Sequence, residues 1–206
     1  MKKQICILTK SLKEHDYCVA GIDMFTGKWI RLVNSKDGDA FPKDLLDDKN
    51  YNELDIIEVE LKKSVPYHTQ TENWLIDDGE PIKKIGQRTI WQLIEQHRLE
   101  SPQFIFGTAR GELEKSETKN IDHSLELLRV ENLELDTSLK GDGRHHYKVN
   151  FTYKGNKYKL ALTDPKFRKE EFDGIKIPSA IIVVSIPAVP YGENELFYKF
   201  AAKIFI

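Results

Sequence analysis

The sequence predicts a mainly β fold with minor α content, in which one helix lies between barrel-like parts. Three observations carry this. Short apolar runs of strand length recur from end to end, only the stretch Thr89 to Arg98 has clear helical spacing, and the strand–helix–strand rhythm that builds a parallel sheet is missing.

Lys3 to Leu8 is the first strand, and a polar link leads from it into a hairpin. There two β-prone runs, within Cys18 to Val33, flank Phe25-Thr26-Gly27-Lys28, and Gly27 supplies the positive φ that a tight turn asks for. Alternation is expected to place Cys18, Ala20 and Ile22 on one buried face with Ile30 and Leu32. Trp29 and Arg31 then share the other face. Asn34 to Asn52 is rich in turn residues, with a short turn of helical character at Leu45-Leu46. In Leu54 to Leu61, Ile57, Val59 and Leu61 alternate with Glu58 and Glu60, a strand with one wet face. Residues 65–77 mix aromatic with amide side chains. In the helix, Thr89 and Gln92 have capping-box spacing, Ile90, Leu93 and Ile94 fall on one face, and Ser101-Pro102 ends it.

Phe104 to Gly107 is a short buried run, and the polar segment Ala109 to Asn120 reads as a surface loop between two halves. The expected domains are therefore 1–110, with the helix, and 121–206. Leu125-Glu-Leu and Asn132 to Asp136 are strand pieces. Tyr147 to Tyr153 and Tyr158 to Leu162 form a second hairpin around a Gly-Asn turn, with Tyr147, Val149, Phe151 and Tyr153 on one face and Lys148, Asn150 and Thr152 on the other. Thr163-Asp164-Pro165 turns the chain out of the sheet, because proline has no N–H for a ladder. Ile181 to Ile186 and Leu196 to Ile206 are the last strands, and the terminal Ile206 is expected to be packed. Each half thus has an apolar strand, a hairpin with a glycine turn (Gly27, Gly155) and an extended exit.

With 206 residues, the chain suits one large domain or two small ones, and 40% hydrophobic with 31% charged residues leaves no room for a long disordered region. The longest apolar run, Ala180 to Val189, contains Pro187 and is about half of what a bilayer span needs. No membrane helix is expected, and the apolar stretch after Met1-Lys2-Lys3 is too short for a signal peptide, so the expected location is cytoplasmic. Cys6 and Cys18 lie in strand-like runs outside any Cys-x-x-Cys pair and read as thiols, not as a disulfide framework. The net charge of −2 gives no global attraction to nucleic acid, yet from Lys140 onward 12 Lys/Arg stand against 7 Asp/Glu, net +5, while residues 1–139 carry 19 against 26, net −7. A local basic face in the second half follows from this imbalance, and chance variation of solvated charges accounts for it equally well.

Several stretches together resemble the dual OB domain family, prokaryotic proteins with two OB-like barrels in one module. They are Cys18-Val-Ala-Gly-Ile-Asp23 with Gly27-x-Trp29-Ile-Arg31, then Asp55-Ile-Ile-Glu-Val59, Thr71-Glu-Asn-Trp74-Leu-Ile, and Thr163-Asp-Pro165. The resemblance runs over most of the chain and implies two five-stranded OB-like β-barrels with a connecting α-helix. By analogy with other OB folds it also implies a surface for nucleic acid or another ligand. It brings no catalytic residues with it.

Single-strand binding by OB folds combines aromatic platforms with basic groups along a groove. The residues that would serve are Trp29 and Arg31, Asn73 and Trp74, and Lys148, Lys157 and Lys159 of the second hairpin, with single-stranded DNA or RNA as partner. Each has a structural alternative. Trp29 can cap a barrel, Trp74 can be buried, the lysines can be solvated edge charges, and Arg31 can pair with Asp23 across the hairpin. A module for a small molecule or a protein partner is the second reading. The third is a hydrolase of nucleotides or modified bases in a cleft between the barrels, which needs Glu72, Asn73 or Asp164 to converge with Arg31. No metal or other cofactor is expected. His145-His146 is the one adjacent histidine pair, no zinc-binding His-Glu-x-x-His or Cys/His quartet occurs, and Gly141-Asp-Gly143 lacks the setting of a dinucleotide loop.

Overall fold

Alternating apolar residues, interrupted by bulges and short turns, curl the chain into two closed sheets. The structure, a computed structural model, describes residues 1–13, 16–35, 51–76, 82–97, 102–139 and 145–206. It divides into a first unit, Met1–Glu100 with Asp122–Ser124, and a second, Ser101–Ile121 with Leu125–Ile206.

The first unit contains β1 (Lys2–Lys13), β2 (Asp16–Asp23), β3 (Trp29–Val33), β4 (Asp55–Ser64), β5 (Asn73–Ile76), β6 (Lys83–Gln87) and helix α1 (Ile90–His97). β1 pairs with β2 and β4, β2 with β3, β3 in parallel with β5, and β5 with β4, so the ring closes on itself. β6 is added outside the ring, along β4. The core within it is built from Ile5, Ile7, Val19, Ile30, Leu32, Ile57, Val59 and Leu61. Helix α1 carries the expected reciprocal cap: Thr89 N–H donates to Gln92 Oε1 at 2.9 Å and Gln92 N–H to Thr89 Oγ1 at 3.2 Å. Ile90 and Leu93 are buried on its apolar face.

The second unit contains β7 (Glu112–Leu113), β8 (Leu125–Leu139), β9 (His145–Tyr153), β10 (Asn156–Leu162), β11 (Lys176–Ser185), β12 (Phe197–Tyr198) and β13 (Phe200–Phe205). Its closed barrel runs β8-β9-β10-β13-β11 and back to β8, with β10 and β13 parallel. Counting the ring strands of each unit from one to five, both units read 1-2-3-5-4, with the third and fifth strands parallel. Two OB-like barrels are thus present, and the similarity between the two halves of the sequence corresponds to a shared strand order.

Several expectations need correction. The pieces at 125–127 and 132–136 are one strand, β8, 15 residues long. It bends where its register against β9 shifts between Glu131 and Glu134, and Asn132 takes φ 51° at the bulge. Ile206 is not packed but 72% exposed. In the first hairpin, Ile22 pairs with Trp29, Ala20 with Arg31, Gly21 with Ile30 and Val19 with Leu32. Trp29 and Arg31 therefore share their face with Ile22 and Ala20, while Ile30 and Leu32 point into the barrel with Val19.

The cause of that register is Asp23. Its Oδ1 accepts from Phe25 N–H at 2.8 Å and Thr26 N–H at 3.3 Å, and its own N–H donates to the Lys28 carbonyl at 2.9 Å. The turn so fixed is a four-residue loop, Met24 to Gly27, with Gly27 at φ 70°. In the second hairpin the central turn residues are Lys154 and Gly155, at φ 46° and 79°, one place earlier than a Gly-Asn turn. The faces expected for β9 hold: Val149, Phe151 and Tyr153 are buried, and Lys148, Asn150 and Thr152 lie on the opposite side.

The expected Leu45-Leu46 turn and the Gly141-Asp-Gly143 loop lie outside the described residues. Among the described residues no helix is long and apolar enough to cross a membrane.

Candidate functional site

Arg31 is 5% exposed. Its Nε donates to Glu72 Oε1 at 3.1 Å and its Nη2 to Ser124 Oγ at 2.8 Å. The Ser124 hydroxyl donates to Glu72 Oε1, and Ser124 N–H donates to Glu72 Oε2 at 3.1 Å. Arg31 Nε and Nη2 and both Glu72 carboxylate oxygens thus have partners within the first unit, as a buried ion pair requires. Asp23, the other partner considered for Arg31, is instead bound by Lys3 Nζ at 2.5 Å. Burial pushes the Asp23 carboxyl up, and the Lys3 hydrogen bond and the turn N–H groups outweigh it and hold the pKa below the ordinary value. Glu72 does converge with Arg31, as a hydrolase needs, but the pair is closed on itself and on Ser124.

Asn73 sits beside Arg31 in the parallel register and is fully buried; its Oδ1 has no hydrogen-bond partner, and its Nδ2 faces Gln70 Oε1 at 3.4 Å. Trp29 is half-buried, and Trp74 is half-buried against the first core. Asp164 lies in the second unit, where it accepts from Lys166 N–H and Ile204 N–H at 3.0 Å each and pairs with Lys203 Nζ at 3.4 Å.

The lysines of the second hairpin have a different setting. Lys157 pairs with Thr152, Lys159 with Asn150 and Ala161 with Lys148 in the β9–β10 ladder. Cross-strand partners share a face, so Lys148, Lys157 and Lys159 stand on one outward wall with Asn150 and Thr152 between them. Tyr158 and Leu160 alternate with them and enter the second core. Lys159 Nζ bonds Asp136 Oδ2 at 2.5 Å. That bond, ahead of the field of Lys148, holds the Asp136 carboxyl below its ordinary range. Lys157 is exposed and has no ion-pair partner among the described residues.

Beside β10 lies a separate two-stranded ribbon, built from residues the sequence reading did not single out. A Cβ at Gly111 would stand 3.4 Å from the Lys159 carbonyl oxygen, so the segment around β7 runs directly beside β10. On its far side β7 pairs with β12, Phe197 against Leu113 and Tyr198 against Glu112, and Lys199 N–H donates to Gly111 O at 2.8 Å. Lys199 is 1% exposed, and its Nζ is held by Thr108 O at 2.9 Å, Thr108 Oγ1 at 2.8 Å and Arg110 O at 2.7 Å. Burial lowers its pKa to about 8, against the opposing pull of Glu126, Glu112 and Glu117. The signal for both residues was present in Phe197-Tyr198-Lys199-Phe200, where a charge interrupts an apolar run; reading 196–206 as one strand hid it.

Among the described residues no group of three or more His, Cys, Asp or Glu is placed to hold a metal ion. His145 of the adjacent pair opens β9, and its Nε2 lies 2.9 Å from Glu170 Oε1.

Two OB-type rings in one chain, the second presenting an outward lysine row, define a tandem OB-fold protein. The chain belongs to the family described as the Dual OB-containing domain, whose model matches residues 3–204. No curated protein matches it by sequence. Solved structures similar to it include the p204 HINb domain, with 11% identity over 97% of this chain and 96% of that one at a TM-score of 0.42. A murine DNA-binding protein bound with double-stranded DNA has 7% identity over 100% and 98% at a TM-score of 0.36. The Ifi202 HINa domain in complex with 20-bp double-stranded DNA has 13% identity over 100% and 94% at a TM-score of 0.36. At such identities and TM-scores the likeness carries no argument about function.

Proposed function

We propose that this protein binds nucleic acid, in single-stranded form, along the outer wall of β9 and β10. One observation carries the reading: Lys148, Lys157 and Lys159 share that wall, which is formed by the second and third strands of an OB-type ring. In OB folds this is the face that takes oligonucleotides. Three ammonium groups along adjacent strands suit a phosphate backbone, Lys159 turning to it from Asp136, and Thr152 between them offers a hydroxyl for sugar or base edges. Arg31 and Asn73 take the part of a buried brace in this reading, since each is enclosed within the first unit.

The test is binding of a labelled single-stranded oligonucleotide as a function of salt. Three phosphate contacts on a single strand give a slope of log K against log[salt] of about −2. Lys157→Glu, which disturbs no described contact, lowers the affinity and flattens the slope. Absence of binding at low salt to single and double strands alike refutes the reading.

A further inference from the structure

We infer that Tyr198, on the ribbon formed by β7 and β12, is the stacking platform of this wall and makes the site one for unpaired bases. The inference rests on the nucleic-acid reading above and adds to it the residue that gives the site its single-strand preference.

β10 lies against β9 on one side; on the other it meets β13 only at Ala161 and Leu162. Ahead of those pairs the neighbour of β10 is the segment through Gly111, packed against the carbonyl of Lys159. β12 follows, bound to that segment by the Phe197–Leu113 and Tyr198–Glu112 pairs and by the Lys199 N–H to Gly111 O bond. The β7–β12 ribbon, a two-stranded sheet of its own, therefore lies beside β10, with its Gly111 end against Lys159 and Leu160. Phe197 and Leu113 belong to the second core, so their neighbours Tyr198 and Glu112 point away from it. Lys157 and Lys159 point away from the same core. The lysine row and the Tyr198 ring consequently both face away from that core, with Glu112, the cross-strand partner of Tyr198, between them.

Tyr198 is 40% exposed and makes no described hydrogen bond or ring contact. An exposed, unpartnered aromatic beside a row of cations is the pairing that single-strand sites use: phosphates on the lysines, a base on the ring. A duplex keeps its bases stacked inside and offers the ring nothing. The platform is braced by its neighbour, because Lys199 Nζ binds the Thr108 and Arg110 carbonyl oxygens and Thr108 Oγ1.

The experiment measures the anisotropy of labelled dT12, rU12 and a 12-bp DNA duplex with the full chain, as wild type, Tyr198→Ala, Tyr198→Trp and Lys157→Glu. Loss of one base stack weakens single-strand binding by about tenfold for Tyr198→Ala. Tyr198→Trp restores it, and Lys157→Glu weakens single strand and duplex alike. The dT12 and rU12 arms say whether DNA, RNA or both are accepted. Equal binding of dT12 and rU12 by wild type and Tyr198→Ala, with Lys157→Glu still defective, overturns the platform and leaves the lysine wall standing. A duplex bound as tightly as the single strands overturns the specificity. Failure of the wild type to bind any probe at low salt removes the underlying reading as well.

Discussion

Arg31 Nη2 donates to Ser124 Oγ at 2.8 Å, across 93 positions of sequence. With Glu72 between them, the two residues tie the third strand of the first ring to Asp122–Ser124, which belong to the same unit. The second ring has a counterpart of opposite layout, in which Asp164, just past its third strand, pairs with Lys203 of its fifth at 3.4 Å. Both ion pairs are buried where the parallel third and fifth strands meet. Removing one member of such a pair strands the other, at a cost of about 3–5 kcal/mol. Arg31→Leu and Glu72→Leu are each expected to lower the midpoint of chemical unfolding sharply, and the double substitution to recover part of the loss. Additive losses in the double mutant would argue against the pair.

At Gly21 the chain leaves no room for a side chain against β1. A Cβ there would lie 2.1 Å from the Cys6 carbonyl oxygen and 2.9 Å from Ile5 Cγ2. Neither backbone atom nor core side chain can yield that distance without moving the strand, so Gly21→Ala destabilises by about 1–3 kcal/mol or more. Gly155→Ala, where a Cβ meets nothing within 4 Å, isolates the cost of a φ of 79° alone. Denaturant titration of both variants should rank Gly21→Ala as the more damaging; the reverse order would mean that strand contact at Gly21 is looser than the structure has it.

Lys199 gives the stability a pH dependence. Its folded pKa is lowered to about 8 from 10.5, so between those values the unfolded chain holds a proton that the folded chain has released. Stability then rises with pH across that window, and below pH about 8 the folded state bears the full cost of a buried charge. Unfolding midpoints measured from pH 7 to 10.5 should show this rise in the wild type and a weaker one in Lys199→Met. A wild-type curve that falls across the window, in step with Lys199→Met, would place the pKa elsewhere.

The two thiols differ in kind. Burial pushes Cys6 up to about 12, with Arg88 opposing it, while Cys18 is half-buried. A small alkylating reagent at pH 8 should therefore label Cys18 of the native protein and spare Cys6, because the thiolate is the reactive form. Peptide mapping after quenching reads the two sites separately, and equal labelling would contradict the packing of β1.

How much of this was legible in the sequence varies with the reach of the interaction. The β9–β10 wall was readable because every determinant is local: strict alternation, a short turn, and lysines on the polar positions. The register of the first hairpin was not, because the Asp23 side chain sets the loop, and an Asx bond moves all partners by one place. Trp29 and Arg31 were rightly put on one face, but the burial of Arg31 depends on Glu72 and Ser124, which are 41 and 93 positions away. No spacing rule reaches that far. Tyr198 and Lys199 were hidden by a change of pairing partner within one apolar run, from β7 at Phe197–Tyr198 to the barrel at Phe200. The resemblance to the dual OB domain family supplied the closure of both rings, which strand lengths alone left open.

The central claim is that the outer wall of β9 and β10 engages a nucleic-acid backbone through Lys148, Lys157 and Lys159. Its most direct test is the salt dependence of binding to dT12 for the wild type and for Lys148→Glu/Lys157→Glu. The account predicts a slope of about −2 in the wild type, reduced to well below half of that in the variant, with circular dichroism unchanged. Binding whose strength and slope are the same in both proteins would contradict it.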